Sequence, residues 1–327
     1  MRFLIYGAGA VGGVVGARLW EHGHDVVLIA RGEHHHAIAS SGLRLESPNE
    51  AKTLHIPAID HPGEIELDPS DVVLLTVKSQ DTAEALRSLA SSAPGDVSVV
   101  CVQIGVANER AALRLFANVY GVCVIMPVTF LRPGAVQADS APTTGLLDIG
   151  RYPNGKDETA RLVAEAFNGS TFNANAIDDI MRWKYAKLLM NLGNAPEALC
   201  GPSALVDEID ALARREAEAC LRTAGIDFAS PKEDRARRAD FLRVLPVEGQ
   251  TRGGGSSWQS LARGVRSIET DYLNGEIVLL GRLHGVPTPV NELLRRLATR
   301  AARQGQAPGA VPAEELLRTV RSVAQTS

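Results

Sequence analysis

Arg2 to Tyr6 is a short apolar run with the spacing of a buried strand. Small residues follow, and Val11 to Trp20 carries the apolar, small-residue pattern of a helix packed on that strand. His24 and Asp25 turn the chain into a second apolar run, Val26 to Ala30, which ends at Arg31. Similar runs recur at Val72 to Val77, Val97 to Val102, Val119 to Ile125 and Leu146 to Ile149. Helical patterns lie between them, at Asp81 to Leu89 and Asn108 to Phe116. Alternating strands and helices predict a mainly parallel sheet covered on both faces. Leu43 to Leu45 and Leu54 to Ile59 read as extra edge strands, and Gly134 to Ala138 is expected to pair with Gly145 to Ile149 in a hairpin.

Beyond about residue 175 the strand signals nearly vanish. Ile177 to Leu199 reads as one long helix and Leu205 to Thr223 as another. Asp234 to Leu245, Leu261 to Leu283 and Asn291 to Gln304 continue the series. Gly249 to Ser257 reads as a flexible loop, and Gln304 to Pro312 as a linker to a last short helix. At 327 residues the chain is long enough to split into two cores. The expected division is an α/β domain over 1–174 and an all-α domain over 175–327.

Gly7, Gly9 and Gly12 stand in G-x-G-x-x-G spacing between the first strand and the first helix. One glycine permits the tight turn, one lets a pyrophosphate approach the backbone, and one lets helix and strand pack closely. The stretch Gly7, Ala8, Gly9, Ala10, Val11, Gly12 is therefore a candidate dinucleotide cradle, with the helix N-terminus facing the phosphates. Nucleotide folds of this kind place Asp or Glu at the end of the second strand to hold a ribose hydroxyl. Here that position is Arg31. A guanidinium suits a 2′-phosphate, so the expected cofactor is NADP(H) rather than NAD(H).

Hydrophobic content of 45%, charged content of 22% and a net charge of −4 are ordinary for a soluble globular protein and give no reason to expect nucleic acid or an anionic membrane. Four scattered cysteines without a C-x-x-C read as reduced thiols of a cytosolic protein. No apolar run reaches membrane-spanning length, and no basic-then-apolar leader precedes the first strand. His34, His35 and His36 are consecutive and point in different directions on a helix, so no metal site is expected. The basic segment Arg235 to Arg243 is interleaved with acids and reads as a solvated face.

Candidate chemistry falls in the helical half. Lys187 and Asn191 are four apart and share a helix face. A lysine in so apolar a helix either snorkels to solvent or works. Glu269, also expected on a helix, is either a solvated carboxylate or a partner for a lysine. Ser257, expected just before a helix, is either a plain N-cap or part of a carboxylate-binding site.

The segments IYGAGAVGG, LLTVKSQDT, KYAKLLMN, SSWQSL and ETDYLNG, with Arg31, resemble the ketopantoate reductase (2-dehydropantoate 2-reductase) family over nearly the whole chain. The spacing of Ser257 and Glu269 fits as well. The resemblance implies a Rossmann-type N-terminal domain followed by an all-α domain of the 6-phosphogluconate dehydrogenase C-terminal type. It implies NADPH-dependent reduction of a 2-oxo acid, with 2-dehydropantoate as the leading substrate. In that pattern Lys187 is the general acid, Asn191 and Ser257 bind substrate, and Glu269 supports the lysine and contacts the cofactor. Arg31 and Lys78 contact the NADP phosphate region. Ile104 stands where the family has a cofactor-contacting asparagine, and Ala195 where it has a second substrate asparagine. These departures imply a more apolar pocket, so a more apolar oxo acid or ketone is the first alternative. A non-catalytic NADP(H)-binding sensor is the second. The helical domain offers surfaces for a homodimer.

Overall fold

The computed structural model describes residues 1–247 and 253–325. In chain order the first half runs β1 (Arg2–Tyr6), α1 (Ala10–Glu21), β2 (Asp25–Ile29), α2 (Gly32–Ser41), β3 (Leu43–Glu46), β4 (Ala51–Leu54), β5 (Ala58–Ile59), β6 (Val72–Leu75), α3 (Thr82–Ala90), β7 (Ser98–Cys101), α4 (Asn108–Leu113), β8 (Asn118–Ile125), β9 (Val128–Arg132), β10 (Ala135–Ala138), β11 (Gly145–Arg151), α5 (Glu158–Asn168) and β12 (Phe172–Asn173). The remainder is helical: α6 (Ile180–Asn191), α7 (Asn194–Cys200), α8 (Ala204–Thr223), α9 (Pro231–Arg238), α10 (Ser256–Ala262), α11 (Asn274–His284), α12 (Pro289–Gln304) and α13 (Ala313–Gln325).

The main sheet has the order β12-β11-β8-β7-β6-β1-β2-β5. Its pairings are parallel except that of β8 with β11. Its central strands are buried on both faces, as their unbroken valine and leucine runs require. From β1 the chain proceeds to β2 on one side and later to β6 on the other, so the topological switch lies at the carboxyl end of β1.

The structure revises several expectations. Leu43–Glu46 is not an edge strand of this sheet: it is internal to a second sheet of order β4-β3-β10-β9. The segment expected at Leu54 to Ile59 divides into β4 and β5, one in each sheet. The expected hairpin partner of Gly134 to Ala138 is also replaced. β10 pairs antiparallel with β9 across a short turn at Gly134, whose φ is +76°, while β11 pairs with β8.

The chain forms two compact units, Met1–Lys184 with the described residues of Ser230–Arg252, and Tyr185–Ala229 with the described residues of Gly253–Ser327. This differs from the division at 174/175. Ile180 joins a core of Cys123, Ile125 and Leu146, which keeps the start of α6 in the first unit. Arg237 clasps Asp148 of β11 at 2.6 Å through both nitrogens, and the Leu245 N–H donates to Asp139 O at 2.9 Å. These contacts return 230–247 to the first unit. They also stop the helix expected over Asp234 to Leu245 at Arg238, followed by Ala239 at φ +39°.

The long helix expected over Ile177 to Leu199 is two helices. Pro196 has no N–H to give to the Leu192 carbonyl, and its ring would clash there, so the chain breaks at Leu192–Gly193 and restarts as α7. The Asn274 amide supplies the missing donor to Leu192 O at 3.5 Å. Likewise Leu261 to Leu283 is broken at Gly264, φ +68°, into α10, a 3₁₀ turn at Glu269–Tyr272 and α11. Of the loop expected over Gly249 to Ser257, residues 249–252 lie outside the described residues, and Ser256 and Ser257 are helical.

Candidate active site

In the first unit the three fingerprint glycines occupy different environments. Gly7 has φ +110°, and a Cβ there would lie 2.8 Å from Val77 N. A Cβ on Gly12 would lie 2.3 Å from Gly7 O and 2.4 Å from Thr76 Oγ1. Gly9, the N-cap of α1, has nothing within 4 Å of that position. So Gly7 and Gly12 are fixed by the fold, and Gly9 opens onto free space beside the first N–H groups of α1 at Ala10 and Val11. The first turn of α1 carries no acidic residue, and an anionic phosphate fits there.

Arg31 is the N-cap of α2, directly beyond β2, and pairs with Glu84 at 3.0 Å with both side chains largely exposed. Such a pair is weak and readily exchanged for a phosphate. Lys78 caps the 3₁₀ turn Ser79–Asp81 beyond β6. Burial raises the Asp81 carboxyl above its ordinary range, and Arg31 and Lys78 both oppose that shift. The two cations thus act on one carboxylate at the carboxyl end of the sheet. Ile104 lies in the next turn, beyond β7, where Gly105 has φ +82°.

The residues expected to carry the reaction all belong to the second unit. Lys187 is half-buried, and Asn191, one helical turn on, is 5% exposed with its Nδ2 bonded to no described residue. Ser257 is buried but is not an N-cap. Gly255 caps α10, and Ser257 is its second residue. Glu269, also buried, opens the 3₁₀ turn rather than sitting within a helix. Two ties draw these segments toward the α6–α7 break. One is the Asn274 to Leu192 bond, and the other runs from the Gly255 N–H to the Glu197 carboxylate at 3.3 Å. Ala195 is buried, whereas Asn194 Oδ1 lies 3.2 Å from where a Gly255 Cβ would stand. Asn194 is the first residue of α7.

Two polar features escape periodicity. His34 donates through Nε2 to Ala8 O at 2.6 Å and accepts the Gly134 N–H at Nδ1 at 2.9 Å. It braces the glycine loop as a neutral ring, and burial lowers its pKa. Lys184 and Glu109 form a buried ion pair at 2.7 Å. Among the described residues no group of His, Cys, Asp or Glu is arranged to hold a metal ion, and no helix is long and apolar enough to cross a membrane. The four cysteines are free thiols.

The fold and the glycine loop are those of the dinucleotide-binding oxidoreductase class, followed by a helical unit that buries Asn191, Ser257 and Glu269. Residues 3–154 match the family described as Ketopantoate reductase PanE/ApbA, and residues 179–302 match its C-terminal part. The chain belongs to the ketopantoate reductase family. A 2-dehydropantoate 2-reductase of Pyrococcus horikoshii is 31% identical over 303 residues, covering 90% of this chain and 95% of the relative. The solved PanE/ApbA family ketopantoate reductase from Ralstonia eutropha JMP134 is 29% identical with a TM-score of 0.77, covering 93% of this chain and 99% of that one. A D-mandelate dehydrogenase solved with NADH and anilino(oxo)acetate is 22% identical and has the same TM-score and coverage, a likeness of fold.

Proposed function

We propose that this protein reduces a 2-oxo acid with NADPH, 2-dehydropantoate being the first substrate to test. The observation that carries the reading is Asn191 Nδ2, a buried donor with no partner among the described residues, one helical turn from Lys187. A buried amide left unpaired costs about 1–3 kcal/mol, a cost that a substrate oxygen removes. Family membership supports the assignment of the other groups.

The dinucleotide, when bound, supplies hydride for a carbonyl carbon. The glycine loop and the start of α1 bind its pyrophosphate, and Arg31 with Lys78 binds the 2′-phosphate end. Lys187 holds the proton that the carbonyl oxygen takes as it becomes an alkoxide, and its positive charge stabilises that oxygen beforehand. Asn191 donates to a substrate oxygen, and the Ser257 hydroxyl donates to the carboxylate. Glu269 orients Lys187 and borders the cofactor.

Ala195 and Ile104, apolar where the family has asparagines, favour a second reading of the substrate as a bulkier, more apolar oxo acid. The test is NADPH oxidation followed by absorbance with 2-dehydropantoate and a graded panel of 2-oxo acids. Turnover with a panel member, and tighter binding of NADPH than of NADH, is the expected result. Preference for the apolar members selects the second reading. NADPH binding without turnover on any member overturns both.

A further inference from the structure

The ion pair of Lys184 and Glu109 is 2% and 0% exposed, and neither residue has a role in the reaction proposed above. Two buried charges are costly, and an apolar pair of similar volume often serves stability as well. The surroundings indicate what this pair does instead. Lys184 Nζ donates to Gln103 O at 2.7 Å and to Val122 O at 3.1 Å while it holds Glu109 Oε1 at 2.7 Å. Gln103 immediately precedes Ile104 in the turn beyond β7, and Glu109 lies in α4, which follows that turn. Gly121 leaves the room: a Cβ there would stand 3.2 Å from Lys184 Cδ and 3.3 Å from Glu109 Oε1.

The Gln103 side chain extends the arrangement to the neighbouring turn. Its Nε2 donates to Val77 O at 2.6 Å and to Thr82 Oγ1 at 2.9 Å. The Thr82 hydroxyl donates to Asn108 Oδ1 at 2.9 Å, and Asn108 Nδ2 donates to Ser79 Oγ at 3.2 Å and Ile104 O at 3.3 Å. Thr82, Gln103 and Asn108 are all buried. Hydrogen bonds therefore cross from the turn that carries Lys78 to the turn that carries Ile104, at the ends of adjacent parallel strands.

We propose that Lys184 and Glu109 are positioning residues for the dinucleotide: with Thr82, Gln103 and Asn108 they hold the turns after β6 and β7 in one register, and that register sets cofactor affinity. The proposal rests on the reading that these turns receive NADPH. Replacing both charges together, Lys184→Met with Glu109→Leu, leaves no lone buried ion, so the fold is kept while the clamp on Gln103 O is lost. Thr82→Val removes only the bridging hydroxyl at nearly constant shape. Val163→Ala, in α5, which packs on β11 and β12 rather than on β6 or β7, serves as a control that loses packing without touching the bonds between the two turns.

NADPH dissociation constants by nucleotide fluorescence, beside thermal melts, form the test. The double variant is expected to bind NADPH about tenfold more weakly, the equivalent of one lost positioning hydrogen bond. Thr82→Val is expected to weaken binding in the same direction, and Val163→Ala to lower the melting temperature with NADPH affinity kept. Unchanged affinity in both clamp variants, with the wild type binding, overturns this proposal and leaves the functional reading intact. A wild type that binds no NADPH overturns both.

Discussion

The glycine loop of the first unit and the α6–α7 break of the second present polar groups in opposite ways. In the loop, regular elements do the work: a strand ends, a helix begins, and the backbone between them is shaped by what a Cβ would strike at Gly7 and Gly12. At the break, the regular element fails. Pro196 ends α6; the freed Leu192 carbonyl is met by the Asn274 side chain of α11 and the Glu197 carboxylate by the Gly255 N–H before α10, while Asn191 Nδ2 is left without a partner among the described residues. A site made by regular elements is specified locally. A site made by interruptions depends on which distant side chain fills each vacated hydrogen bond.

The most severe test of this contrast is at Lys187. Lys187→Ala is expected to lower turnover about 10²- to 10⁴-fold, the usual contribution of a positioned acid, with NADPH affinity unchanged. Steady-state rates and nucleotide titration of one preparation check it, and near-normal turnover removes Lys187 from the reaction. Two glycine variants sharpen the other side. Gly12→Ala places a carbon 2.3 Å from Gly7 O and is expected to destabilise the protein by several kcal/mol. Gly9→Ala meets nothing within 4 Å, at an ordinary φ of −69°, so its melting temperature should stay near that of the wild type while NADPH binding weakens. Equal melting temperatures for the two variants contradict the division of labour among the glycines. Arg31→Ala is smaller again. Losing one forked contact to phosphate should cost NADPH about tenfold in affinity and leave NADH unaffected, as paired titrations read directly.

The alternation of strand and helix was legible because each central strand is an unbroken apolar run, α3 and α5 each keep one apolar face, and α1, buried along Gly12 to Leu19, is small and mostly apolar throughout. The interruptions were harder to read, although Gly193 and Pro196 together signal a break. Lys184 was missed beside Lys187 for a physical reason that the spacing contains. Ile180, Lys184 and Leu188 stand four apart on one face, and all three are buried, whereas Lys187 shares its face with Trp183 and Asn191. The lysine in line with the core residues is the one whose charge must be paired inside. No periodicity discloses that its partner is Glu109, far away in sequence. Ser257 and Glu269 were legible as motif residues but not as element positions. Their settings in a short helix and a 3₁₀ turn depend on Gly255, which is tied to Glu197 far away in sequence, and on Gly264, which ends α10 at φ +68°.

The last test concerns the break itself. Asp210 of α8 faces Gly193, where a Cβ would lie 3.1 Å from its Oδ1, and that oxygen is buried with no partner among the described residues. Burial pushes the Asp210 carboxyl up to about 6, with Asp207 adding to the shift and Arg214 opposing it. In the unfolded chain the group titrates near its ordinary value of 3.8, so between the two values the folded state binds more protons. The neutral form favours folding, and that contribution is lost as pH rises through about 6. Asp210→Asn is therefore expected to stabilise the protein at pH 8 by on the order of 1–3 kcal/mol, with the gain shrinking toward pH 4. Denaturant melts of both proteins across that range measure it. No gain at pH 8, and no change with pH, would mean that the carboxylate is compensated in place, and the break would then be as well satisfied as the glycine loop.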